Sequence, residues 1–183
     1  MRLAYFQSAR LTGHKTTIRP MHADEVEQLY EWATDPEVSP LWGGRERYPT
    51  LRDFVADWKP YYFDSTRPEK GRCFTIEADG KPIGMLATNE VRIRDQNVDV
   101  DILIGEASCR EKGYGTDALQ TFVKFLLETV GLHRVSIGAY AHNALALHVY
   151  EKVGFKREGV LRESDYVGGT WVDVIVLSIL ASD

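Results

Sequence analysis

Arg110-Glu111-Lys112-Gly113-Tyr114-Gly115-Thr116 is the stretch that decides how this chain is read. An alternating apolar segment stops before it, two glycines open a turn inside it, and a long amphipathic pattern follows it. Glycine tolerates positive φ and lets backbone approach a ligand closely. The first turn of a helix leaves N–H groups unpaired at the positive end of its dipole, so the stretch predicts an anion cradle. A lone G-x-G is equally well a plain strand-to-helix turn, and its surroundings must decide. A triphosphate-binding loop needs Lys-Ser/Thr after its last glycine, whereas Lys112 precedes the first. Gly113-Tyr-Gly115-Thr-Asp-Ala118 fits the looser dinucleotide pattern, but that pattern wants an acidic residue ending the next strand, about 20 positions on. Here that strand runs into Ala141-His142-Asn143, which disfavours NAD.

With 183 residues, 44% of them hydrophobic, the chain holds one well-buried core, and no stretch reads as a linker. We expect one domain over residues 1–183. Met1 to Gly13 has no signal-peptide apolar run, and no run of ~18 apolar residues marks a membrane span. Cys73 and Cys109 make no metal or redox spacing, so no metal and a cytoplasmic location are expected. A net charge of −5 argues against a nucleic-acid partner, which would require a basic stripe.

Thr16, Thr17 and Ile18 within Lys15 to Arg19 read as a short strand, and Val26, Leu29, Tyr30 and Ala33 recur at helical spacing between His22 and Thr34. Val38 to Pro49, with Pro40, Trp42, Gly43 and Gly44, reads as a loop. Thr50-Leu-Arg-Asp53 is a capping box opening a helix with the apolar stripe Leu51, Phe54, Val55, Trp58 and Tyr62. Cys73 to Ala78 and Ile83 to Val91 flank Asp79-Gly80, a hairpin signal. Asn97 to Ile104 alternates, with Val98, Val100, Ile102 and Ile104 on one face and Asp99 and Asp101 on the other. A helical pattern then runs to Gly131, a strand spans Arg134 to Tyr140, and Asn143 caps a helix that Gly154 ends. Phe155 to Glu163 and Trp171 to Leu180 read as strands around a turn at Asp165 to Thr170. The order predicts a mixed α/β fold around one central sheet.

That order, with Arg110, Gly113 and Gly115 matching Gln/Arg-x-x-Gly-x-Gly/Ala, resembles the Gcn5-related N-acetyltransferase (GNAT) superfamily. Two further stretches narrow the likeness to the RimJ/RimL-type branch: Tyr140-Ala-His-Asn143 through Tyr150-Glu-Lys-Val-Gly154-Phe155, and Gly154 through Glu163 with the later Trp171-Val-Asp173. The resemblance covers roughly residues 15 to 180. It implies a mostly antiparallel sheet of about seven strands flanked by about four helices, splayed between the fourth and fifth strands. It also implies acetyl-CoA as co-substrate, an amine acceptor (a protein N-terminal α-amine, a polyamine or an aminoglycoside), and often a homodimer. Backbone groups of Ile102, Leu103 and Ile104 would hold the pantetheine arm, and the N–H groups from Glu111 through Lys112, Gly113, Tyr114 and Gly115 to Thr116 the pyrophosphate. Asn143, otherwise a plain N-cap, would bond the arm. Tyr150, otherwise a half-buried aromatic, would protonate the leaving thiolate.

A lysine-like amine with pKa about 10.4 is neutral only about one part in 2,500 at pH 7, roughly 4.6 kcal/mol, so a base matters for such a substrate. Asp99 stands where related sequences commonly carry Glu, and Asp101 is the alternative. Glu25, Glu31 and Asp35, and Glu163 and Asp165 near the final turn, are further acidic candidates for a cationic acceptor, although a solvated face or turn chemistry explains them too. Ala107-Ser-Cys109 replaces a bulky aromatic frequent before the signature. The loop Val38 to Pro49, with Trp42, Tyr48, Arg45 and Arg47, would shape the acceptor site. A rival reading is a non-catalytic CoA-binding sensor or interaction module, against which Tyr150 argues.

Overall fold

Strand β5 (Asn97–Ile104) organises the computed structural model, which describes residues 2–43, 47–64, 66–67 and 69–183. Gly44 and Arg45, expected in the loop after Val38, lie outside the described residues. In chain order the elements are β1 (Leu11–Thr12), β2 (Thr17–Pro20), α1 (Val26–Ala33), α2 (Ser39–Trp42), α3 (Leu51–Tyr62), β3 (Arg72–Ala78) and β4 (Lys81–Thr88), followed by β5. Then come α4 (Tyr114–Lys124), extended by a π-helical turn over Phe125–Val130, β6 (Arg134–Tyr140), α5 (Ala144–Val153), β7 (Lys156–Val167) and β8 (Thr170–Leu180). One 8-stranded sheet has the order β1-β2-β3-β4-β5-β6-β8-β7.

Every neighbouring pair is antiparallel except β5 and β6, which run parallel and are paired only from Asn97↔Arg134 to Asp99↔Ser136. Beyond Asp99 the two strands part. Each is held from its other side: β4 pairs with β5 out to Ile104, and β8 pairs with all of β6. The facing edges are thus free of ladder partners while both strands stay ordered. This is the splay implied by the resemblance.

Alternation buries the sheet on both faces. Val98 and Val100 of β5 join Phe74, Leu86, Phe122, Leu126, Val135 and Leu177 in the core under α4 and α5. Leu103 and Met85 face the opposite way, into a cluster with Leu29, Trp32, Phe54 and Trp58 from α1 and α3. Thr50 caps α3 by accepting from the Asp53 N–H at 3.2 Å. Asn143 caps α5 by accepting from the Ala146 N–H at 3.1 Å.

The differences from the sequence reading are local. The first helix begins at Val26 rather than His22, because the Glu25 carboxylate accepts from the His22 N–H at 2.8 Å and from Arg19 at 2.7 Å. Within Val38 to Pro49, residues Ser39–Trp42 form a single helical turn with Pro40 in its first turn, where a missing N–H does no harm. The final turn is Gly168-Gly169, at φ 59° and 80°, the two successive positive values that a tight hairpin wants. Asp165 and Tyr166 accordingly stay in the ladder, opposite Val172 and Trp171.

Gly84 shows how tightly β4 and β5 meet beside the splay. A Cβ there would lie 2.1 Å from the Leu103 carbonyl oxygen, a backbone atom that cannot swing aside. Gly84→Ala is expected to lower the unfolding free energy by about 3 kcal/mol, read as a lower urea midpoint at constant m.

Candidate active site

The cradle forms where β5 ends. Glu111 and Gly113 adopt positive φ, 57° and 83°, and Gly113 caps α4. Alternating left-handed residues curl successive N–H groups toward one point, and the helix N-terminus adds its dipole. A Cβ at Gly115 would meet only the Ile104 side chain, at 3.4 Å, so protein packing alone does not demand glycine there. A cradle that a side chain would fill is what a pyrophosphate needs, and the residues present fit that group.

The loop is pinned from both sides. The Arg110 guanidinium does not point into the cradle; it donates to the Ile104 and Gly105 carbonyls at 3.2 and 2.7 Å and to Glu37 at 2.6 Å. Its role here is to tie the loop to the end of β5 and to the segment between α1 and α2. On the other side, Asp117 accepts from the His14, Lys15 and Thr16 N–H groups at 2.8, 3.0 and 3.0 Å and from the Thr16 hydroxyl at 2.7 Å. Burial alone would raise the Asp117 pKa, but these bonds outweigh it and leave the carboxyl below its usual range. The Lys15 ammonium also donates to the Lys112 carbonyl, at 2.9 Å.

A cleft of about 570 Å³ runs from this cradle between the splayed strands. Ile102, Leu103, Ile104, Arg110, Glu111, Gly113, Gly115, Thr116, Asn143 and Tyr150 line it, as does Cys109. Lys112 of the loop and Tyr114, the first residue of α4, do not line the cleft. Asn143 uses its side-chain oxygen as the cap of α5, which leaves the amide NH₂ for other partners. Tyr150 is 5% exposed, and its hydroxyl has no protein hydrogen-bond partner among the described residues. Burial, reinforced by the charge of Asp101, pushes its pKa well above the phenol range and keeps the proton on the oxygen.

On the other side of the sheet a second cavity, about 550 Å³, is walled by Trp42, Trp58, Tyr61, Tyr62 and Tyr140, with the carboxylates of Asp57, Asp101 and Asp165. Arg47 is its one lining cation among the described residues. Tyr48 donates to Asp57 at 2.5 Å. Aromatic contacts carry the wall, Phe54 stacked on Trp58 at 4.7 Å and Tyr62 tilted against Trp58 at 4.4 Å between ring centres. The two cavities share Leu41, Trp42, Asp101, Gly138 and Ala139, so they meet at the splay.

Of the two aspartates on the polar face of β5, the structure brings Asp101 to that junction. Asp99 lines neither cavity; it lies where β5 is still paired with β6, 46% exposed and 3.4 Å from Arg92. Burial is the main cause raising the Asp101 pKa, Asp99 adds to it, and a hydrogen bond from Asn89 at 3.0 Å opposes it. Among the other acidic candidates, Asp165 lines the second cavity. Glu25 is held by Arg19, Glu31 accepts from Gln28 at 3.0 Å, Asp35 sits 3.9 Å from Arg110, and the Glu163 backbone N–H donates to Asp173 at 2.8 Å. Sequence reasoning missed Asp57, Tyr61, Asn89 and Tyr140. Asp57 and Tyr61 share a helix face at i, i+4, which was a usable signal; Asn89 carried none.

Phosphate cradle, splayed strands and buried phenol together define an acyltransferase of the CoA-dependent kind. The acetyltransferase (GNAT) domain family matches residues 15–156, and the chain belongs to it; its acyl donor is acetyl-CoA. The chain is 28% identical to aminoglycoside N(6′)-acetyltransferase type 1 of Klebsiella pneumoniae, covering 84% of this chain and 80% of that protein. It is 21% identical to the spermidine N(1)-acetyltransferase of Escherichia coli K12, over 92% of this chain and 87% of that one. Among solved structures, a RimL ribosomal-protein α-N-acetyltransferase with coenzyme A superposes with a TM-score of 0.82 at 13% identity, over 96% of this chain and 100% of that chain. Spermidine N-acetyltransferase from Vibrio cholerae with CoA and spermine gives 0.80 at 20% identity, over 92% and 96%.

Proposed function

We propose that this acetyltransferase acts on a primary amine of a small polycationic molecule, a polyamine or an aminoglycoside, by direct attack within a ternary complex. The observation that carries this reading is the second cavity, where Asp57, Asp101 and Asp165 stand among aromatic walls against Arg47, the one lining cation among the described residues. Carboxylates and ring faces both attract ammonium groups. The aminoglycoside and spermidine enzymes among the relatives are consistent with it.

Ile102 to Ile104, the N–H groups of Glu111 to Thr116 and the Asn143 amide would hold the donor. When bound, acetyl-CoA supplies an activated acetyl thioester. The protein's own groups then manage protons. Asp101, at the junction of the cavities, accepts a proton from the acceptor ammonium, a task for which Asp99, lining neither cavity, is out of place. A carboxylate whose pKa is raised is a stronger base than one in water, which suits a donor of pKa about 10.4. Tyr150 presents its hydroxyl proton to the sulfur that leaves. The finer parts of the resemblance belong to the same proposal: a RimJ/RimL-like, cytoplasmic enzyme that pairs as a homodimer. The free thiols of Cys73 and Cys109 and the exposed Val160, Leu161, Tyr166 and Trp171 along the last hairpin are consistent with those parts.

The test is thiol release from acetyl-CoA over polyamines, aminoglycosides and peptides with free N-termini. Polycationic small amines should have the highest kcat/KM. A peptide α-amine as the best acceptor would refute the substrate class, and no turnover of any amine would leave the CoA-binding sensor as the better reading.

A further inference from the structure

Asn89 stands just past Thr88, the last residue of β4 in register with β5, and its N–H still reaches the Asp99 carbonyl at 2.8 Å. Its side chain is committed at both ends. The Tyr62 hydroxyl donates to Asn89 Oδ1 at 2.9 Å, and Asn89 Nδ2 donates to Asp101 Oδ2 at 3.0 Å. The carboxylate fixes which way the amide faces: it only accepts, so the NH₂ must meet it, and Oδ1 is left to accept from the Tyr62 hydroxyl, which anchors the far side of the amide. Tyr62 is itself clamped at the end of α3, its ring 4.4 Å from Trp58 and 4.7 Å from Tyr61.

We infer that Asn89 is a positioning residue for the acetyl transfer, locked by Tyr62, which holds one oxygen of Asp101 so that the other faces the junction of the two cavities. The inference rests on the reading of Asp101 as the base. A carboxylate in this place meets opposing influences: burial favours its neutral form, and so does Asp99 on its own strand, whereas the Asn89 bond and Arg47 favour the ion. Cys73 of β3, Tyr61 and Tyr62 of α3 and Tyr150 of α5 feel its charge, and Asp165 of β7 shares the cavity. Of these groups, Asn89 is the one that donates a side-chain hydrogen bond to it. A bond to the charged form both orients the base and keeps it ionised at lower pH. No sequence motif marks this residue, because its partners lie 27 and 12 positions away.

The experiment is the pH profile of kcat/KM for the amine in wild type, Asn89→Ala, Asn89→Asp, Tyr62→Phe and Asp101→Asn. Asn89→Ala should move the acid limb to higher pH. Asn89→Asp should move it further, since the replacement keeps the shape and the Tyr62 bond but sets a carboxylate against Asp101. Tyr62→Phe should give a smaller shift in the same direction. At pH 6 the Asn89→Ala rate should be about tenfold below wild type and recover to within about twofold at pH 9, with KM for acetyl-CoA unchanged. An acid limb unmoved in both Asn89 variants, while Asp101→Asn displaces it to the amine's own pKa of about 10.4, would overturn the inference and leave the base reading standing. An Asp101→Asn profile that keeps the wild-type acid limb, instead of climbing about tenfold per pH unit toward the amine's own pKa of about 10.4, would sink the base reading, and the inference with it. Asn89→Asp and Tyr62→Phe are near-isosteric, so unfolding of Asn89→Ala would not remove the test.

Discussion

With Tyr150→Phe, kcat falls about 100-fold while the Kd for acetyl-CoA changes by no more than about twofold. The substitution removes one oxygen from a side chain that is 5% exposed and otherwise packed, beside Phe155 at 6.2 Å between ring centres, so no cavity opens. Its hydroxyl caps no protein group among the described residues, and stability should therefore be nearly unchanged. A phenol whose pKa is pushed up by burial and by Asp101 holds its proton firmly, and complete transfer to a thiolate of pKa about 8.5 is uphill. Its benefit is a hydrogen bond that strengthens as charge reaches sulfur, which is why the effect belongs near the lower end of acid–base contributions. Stopped-flow thiol release, read beside isothermal titration of acetyl-CoA, checks both halves. An unchanged kcat would remove Tyr150 from the chemistry.

Asp101→Asn has an expected loss that depends on pH. At pH 7 an amine of pKa about 10.4 is free base in about one molecule in 2,500, so the variant should lose up to about that factor in kcat/KM. The loss should shrink about tenfold per pH unit and disappear near pH 10, because the solvent then performs the deprotonation. Asp99→Asn should stay within about threefold of wild type at every pH, since Asp99 is a half-exposed partner of Arg92 outside both cavities. The folded-state pKa of Asp101 is raised, so ionising it opposes folding. Asp101→Asn should accordingly unfold at the same or a higher urea concentration at pH 8. A variant that keeps wild-type activity at pH 7 would show that Asp101 only binds the acceptor or lies idle.

Most of the secondary structure was legible because its signals are local. The alternation of Asn97 to Ile104, the 3.6-residue period after Gly115 and the capping residues Thr50 and Asn143 each act within one element. The expected turn at Asp165 to Thr170 contains the observed one but is too wide, for an equally local reason. Asp165 and Thr170 look like turn residues, but Gly168-Gly169 closes the hairpin in two positions.

By itself the sequence determined the donor side: a strand, Gly113 and Gly115 opening a helix, and Asn143 and Tyr150 one helix later, all set by short-range spacing. Tertiary structure decided the acceptor side and the base. Asp99 and Asp101 share one face of β5 and are equivalent by periodicity. They differ only because β6 pairs with β5 as far as Asp99 and then turns away, which opens the cleft at Asp101. Where two strands separate depends on how β4 and β8 hold them from outside, and the groups that settle around the exposed carboxylate, Asn89 and Tyr62, arrive from other elements. Such long-range pairing leaves no mark on either strand's own residues.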